Sequence, residues 1–64
     1  MFEFSVSITE SEGSAVNIDV IYQGDDFDLA LRAASAARGE PRYRGKWLRL
    51  DNRRIDNVRW IQLF

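Results

Sequence analysis

Apolar and polar positions alternate from the start of the chain. Phe2, Phe4, Val6 and Ile8 fall on one side, and Glu3, Ser5, Ser7 and Thr9 on the other. That period of two is the mark of a half-buried β-strand. Residues 10–14 are polar, with Gly13 available for a positive φ, and read as a hairpin loop. Alternation resumes over residues 15–23, with Val16, Ile18, Val20 and Tyr22 inward and Asn17, Asp19 and Ile21 outward. Two β-branched runs joined by a short polar loop predict an antiparallel pair. Ile21 is the exception on the polar side, and is assigned either to packing at the helix entrance or to a contact surface.

Over residues 24–39 the period changes from two to between three and four. Asp25 or Asp26 supplies an N-cap, and Asp28 places negative charge in the first turn, where the helix dipole favours it. Residues 29–37 are Leu, Ala and Arg with a single serine and no β-branched residue, a strongly helix-forming interior. Gly39 is expected to stop the helix in a left-handed conformation, with Pro41 preventing continuation. Phe27, Ala30, Leu31, Ala34 and Ala37 form the inward stripe, and its alanines let the helix lie close to a sheet.

Beyond a loop at residues 40–45, residues 46–50 read as a short strand with Leu48 and Leu50 inward and Trp47 and Arg49 outward. Asp51 and Asn52 carry turn chemistry, since both tolerate a left-handed backbone. Residues 53–55 are then expected to pair back, and Asp56 and Asn57 to interrupt the ladder. Residues 58–64 resume as strand, with Val58, Trp60 and Phe64 on one face and Ile61 and Leu63 on the other. A strand apolar on both faces reads as interior rather than as an edge.

The 64 residues therefore predict one small α+β domain, β-β-α-β-β, with a single helix on one face of a four-stranded sheet. A right-handed crossover suggests the order 2-1-4-3, with strands one and four parallel at the centre, and an all-antiparallel sheet with a different order stays open. In element order and length this layout resembles the β-grasp architecture.

Charge adds a second asymmetry. Residues 1–31 hold seven acids and no base, and residues 32–64 hold all nine bases against three acids. Such a division points to a charged partner or to a chain whose ends meet, with opposite charges supporting each other across the sheet. No apolar run approaches the roughly 20 residues of a membrane span, and no signal-peptide pattern opens the chain, so no membrane role and a cytoplasmic location are expected.

Catalytic chemistry finds little to work with. There is no cysteine or histidine, hence no thiolate site and neither the commonest general base nor the commonest metal ligand. The serines have nothing to activate them, and Lys46, the sole lysine, lacks a recognisable pocket. Asp25, Asp26 and Asp28 lack the alternating ligands, turn glycine and distal glutamate of a calcium loop, and helix capping accounts for most of them. No enzyme activity, metal or cofactor is expected.

The segment Arg42, Tyr43, Arg44, Lys46, Trp47 and Arg49, extended by Arg53, Arg54 and Arg59, is the candidate binding patch. Its arginines offer forked donors, and Tyr43 and Trp47 offer flat faces for stacking. The competing account is a solvated basic strand with Trp47 filling core space. Asp19, Asp25, Asp26 and Asp28 form the complementary acidic candidate. The acidic half lies within about 8–10 Å, a Debye length, of much of the patch and opposes binding of a polyanion, leaving nucleic acid second. A two-signed surface suits a protein partner, either another copy or a larger protein. Short, cofactor-free chains of this make-up look like accessory regulators or inhibitors encoded by phages and mobile elements. The run Ile21-Tyr22 followed by Phe27-Asp28-x-Ala30-Leu31 is similar to strand-to-helix junctions in some of them.

Overall fold

The computed structural model describes residues 2–64, which form four strands, one α-helix and one 3-10 turn. The strands are β1 (Phe4–Thr9), β2 (Asp19–Gly24), β3 (Trp47–Asn52) and β4 (Asn57–Gln62). The helix α1 spans Phe27–Arg38, and Pro41–Tyr43 forms the 3-10 turn. The architecture is α+β, with α1 packed on one face of a single four-stranded sheet.

The strand order is β2-β1-β3-β4, and every neighbouring pair is antiparallel. The grasp-like order 2-1-4-3 does not form. The crossover rule fixes the hand of a β-α-β connection but leaves open which strand of the last hairpin docks inside. Here α1 connects β2 to β3 across β1, and β3 takes the inner place because Leu48 and Leu50 stand opposite Ile8 and Val6. Those four side chains are almost fully buried together with Phe4, Ala30, Ala34 and Ala37. β4, expected inside, lies at an edge.

Asp26 is the N-cap, its carboxylate accepting from the amides of Asp28 at 2.9 Å and Leu29 at 3.2 Å. The expected stripe is present but narrower: the alanines are buried, whereas Phe27 and Leu31 remain about half exposed. Phe27 still reaches the core edge, its ring centre 5.1 Å from that of Phe4. Gly39 does not adopt the left-handed stop, since its φ is −91° and its N–H closes back on Ala36 at 3.2 Å.

β2 begins later than its alternation suggests. Val16 is 74% exposed and lies in the loop, where its N–H is taken by the Ser14 hydroxyl at 3.1 Å instead of a strand partner. Val20, expected inward, stands opposite Ser7 on the other face, because the β1–β2 register shifts between Val6 and Ser7. That bulge absorbs one residue of β2 and turns Ile21 onto the helix side, beside Ala33 and Ala37. Of the two assignments open for Ile21, the structure shows packing against the core.

The last hairpin also differs. Asp51 and Asn52 remain in β3, and the turn is made by residues 53–56, with Asp56 left-handed at φ 51°. Asn52 Oδ1 accepts from the Arg54 N–H at 3.1 Å, a local bond that starts the turn one step after the strand. No helix among the described residues is long and apolar enough to cross a membrane.

Candidate functional site

The sheet has two unlike faces. On the helix side lie Phe4, Val6, Ile8, Leu48 and Leu50. On the other side β1 presents Ser5, Ser7 and Thr9, β3 presents Trp47, Arg49 and Asp51, and β4 presents Val58, Trp60 and Gln62. Among the described residues no helix covers this second face, which is ordinary for an antiparallel sheet; its contents are less so, since solvated faces are usually polar. Both tryptophans of the chain stand there as diagonal neighbours on adjacent strands. Ser7 and Thr9 are buried, and their cross-strand partners Arg49 and Trp47 are the side chains large enough to shade them.

Arg49 holds the middle of this face. It stands opposite Trp60, with its guanidinium carbon 5.8 Å from the indole centre, and its Nη2 lies 3.2 Å from Asp51. Its Nε is covered and has no hydrogen-bond partner among the described residues. A covered donor without an acceptor costs about 1–3 kcal/mol, against which stand the ion pair with Asp51 and the contact with Trp60. Beside it a shallow groove of about 510 Å³ runs over β1, with Arg49, Asp51 and Arg53 on one side and Asn17 and Gln23 on the other. The groove is open and polar, the form of a contact surface rather than of an enclosed catalytic pocket.

The structure separates the basic segment into different environments. Trp47 and Arg49 belong to the uncovered face, and Arg53 to the rim of its groove. Tyr43 does not offer a stacking face: the 3-10 turn after Pro41 carries it inward, and it is 6% exposed. Its hydroxyl donates to the Asp19 carboxylate, and Arg42 lies 4.7 Å above its ring. That hydrogen bond, with burial second, raises the Tyr43 pKa above its ordinary value. Arg44 is exposed at the end of the turn.

The acidic candidates have local structural partners. Asp19 receives Tyr43 and lies 3.9 Å from Arg42. Asp25 accepts the Glu3 N–H at 2.9 Å, Asp26 caps α1, and Asp28 sits exposed in its first turn. Ion pairs also join the two halves of the chain: Glu3 with Arg54, and Glu10 with Lys46 at 3.1 Å. The charge division in the sequence is therefore partly compensated within the fold. Among the described residues, Arg32, Arg38, Arg44, Arg53 and Arg59 have no acidic partner within 4.0 Å.

Trp60, Val58 and Asp51 join the site without having been marked as candidates. The signal was present in the alternation of residues 58–62, but it becomes readable only once the turn is placed at residues 53–56, which sets Trp60 opposite Arg49. Comparison with protein families, curated proteins and solved structures returns no match.

Proposed function

We propose that this chain is a small, non-enzymatic protein-binding module whose contact surface is the uncovered sheet face around Trp47, Arg49 and Trp60. The observation that carries the reading is Arg49, held between an indole and a carboxylate at the cost of a covered, unpartnered Nε. Two half-buried indoles beside an arginine have the composition of an interface hot spot. Aromatic groups on a rigid sheet lose little freedom on binding, so their burial is spent on affinity rather than on ordering. The partner is a protein with an apolar patch for the indoles and an acceptor for the exposed rim arginine, Arg53. Acting by occupancy alone, such a module regulates or inhibits what it covers.

The direct test is the paired substitution Trp47→Ala with Arg49→Ala, read by capture of a partner from a lysate of the native host. Capture is lost while the far-UV spectrum and melting behaviour stay close to those of the unsubstituted chain. Unfolding of the double variant refutes the reading, because these side chains would then be core. Gel shift of a labelled oligonucleotide at low salt, released steeply as salt rises, would assign the same indoles to base stacking instead.

A further inference from the structure

We infer that β4 pairs with β4 of a second copy, antiparallel about a two-fold axis at Trp60, so that the two sheets join into one. The starting point is a contradiction between pattern and place. Residues 58–61 put apolar groups on both faces, as interior strands do, yet β4 lies at the edge of the sheet.

The two edges are treated differently. β2 opens with Asp19, is bulged at Ile21 and leads into Asp25 and Asp26, all features that discourage another strand from adding. β4 has none of them. Its register with β3 is unbroken over Asn57–Gln62, it contains no proline or lysine, and Arg59 is its one charge. Helix α1 packs chiefly on β1, β2 and β3.

The backbone directions at this edge follow from the hydrogen bonds inside it. Leu63 gives its N–H to Lys46 and takes the Gly45 N–H on its carbonyl, so both of its polar groups face β3. Arg53 gives its N–H to Glu3, so the odd residues of β3 face β1, and Leu48, Leu50 and Asn52 bond to Ile61, Arg59 and Asn57. By alternation, the N–H and C=O groups of Val58, Trp60 and Gln62 point out of the sheet.

A two-fold axis perpendicular to the sheet keeps like faces together and so limits the registers to a few. With Trp60 on the axis, Val58 stands opposite Gln62 of the other copy, and all three outward residues bond fully. Arg59 then lies opposite Ile61, which its aliphatic stem can cover. Moving the axis to Arg59 opposes two arginines directly and leaves Gln62 facing the left-handed Asp56. The Trp60-centred register also brings Phe64 of one copy next to Ile55 of the other. These are among the most exposed apolar residues of the chain, at 89% and 67%, and they lie at opposite ends of β4. A self-complementary strand flanked by two exposed apolar groups that meet only across the axis fits a second copy. No chain lies over the second face in this arrangement, although the two Trp60 side chains then stand opposite each other on it; the inference rests on the backbone of the β4 edge and not on the proposed function.

Sedimentation equilibrium from micromolar to millimolar concentration, with amide exchange by NMR on the same samples, tests the inference. The apparent mass rises from 7.4 kDa towards twice that value. Exchange of the Val58, Trp60 and Gln62 amides slows in step with it, and mixed-label samples show an Hα–Hα contact between Arg59 and Ile61 of different copies. A synthetic chain N-methylated at the Trp60 amide keeps its side chains and its far-UV spectrum but remains at the single-chain mass. The inference is overturned by a constant single-chain mass with those amides unprotected. It is equally overturned by an assembly that protects β2 instead, by one indifferent to the N-methyl group, or by β4 protection that appears only when a different protein is added.

Discussion

Arg49 and Trp60 face each other across the β3–β4 ladder, the guanidinium carbon 5.8 Å from the centre of the indole. An exposed cation–π contact is worth about 0.5–1 kcal/mol, and the covered Nε of Arg49 costs at least as much. The contact with Trp60 and the covered Nε therefore act in opposite directions on stability at this residue.

Replacing Arg49 with methionine keeps the stem, removes the unpartnered donor and gives up the pair with Asp51. The net change in unfolding free energy by urea titration is within about 1 kcal/mol of zero, because an apolar group of similar shape substitutes for a poorly satisfied charge. Partner capture nevertheless falls sharply. A large loss of stability would instead show that Arg49 supports the fold.

The Tyr43–Asp19 contact gives the fold an alkaline limit. The Tyr43 pKa is raised in the folded chain, mainly by its hydrogen bond to Asp19 and then by burial. A raised pKa means that the protonated phenol stabilises the fold below the unfolded value of about 10, and that this contribution is lost as pH rises through the higher folded value. Tyr43→Phe lowers stability near pH 7 by about 1 kcal/mol and flattens the loss above pH 10. Melting temperature measured against pH for the two chains checks both parts.

At Gly24 the tip of the Tyr22 side chain occupies the space that a Cβ would take. A Cβ at this position would overlap the Tyr22 ring, whose hydroxyl accepts the Asp26 N–H at 3.2 Å just before α1 begins. Gly24→Ala therefore displaces Tyr22, with a cost of about 1–3 kcal/mol for an overpacked position. The expected signature in NMR spectra is shifts at Asp26 and the first helical turn, beyond those at the substituted strand.

Asp56 sits in the left-handed region at φ 51°, where a residue without a Cβ is at ease. Asp56→Gly is neutral or stabilising by at most about 1 kcal/mol, because relief of backbone strain opposes the greater freedom of the unfolded glycine chain. Thermal unfolding of the variant decides this, and a clear loss would mean that the carboxylate holds the turn.

The parts of this fold that local chemistry controls were readable in advance. Asp26 caps the helix, the buried alanines draw it onto the sheet, and Phe4, Val6 and Ile8 turn inward together. Strand order was not readable, because Leu48 and Leu50 compete with the apolar residues of β4 for the inner place and no local preference ranks them. The bulge beside Ile21 shows in the sequence only as one apolar residue out of step, between Val20 and Tyr22, which does not by itself tell a bulge from an exposed contact. Tyr43 looks like one more exposed aromatic among arginines until the turn after Pro41 rotates it against Asp19. At the candidate site, Trp47 and Arg49 were visible from alternation within one strand. Trp60 was not, since its place depends on whether the chain turns at Asp51 and Asn52 or at residues 53–56.

Site-specific photocrosslinking tests the uncovered face most directly. A benzophenone side chain is placed in turn at Trp47, at Trp60 and, on the outward side of the helix, at Arg32, and each chain is irradiated in a lysate of the native host. The account predicts one protein adduct formed from both sheet-face positions, absent from Arg32 and lost when Arg49 is also replaced by methionine. Adducts formed from Arg32 alone, or at all three positions regardless of Arg49, would contradict it.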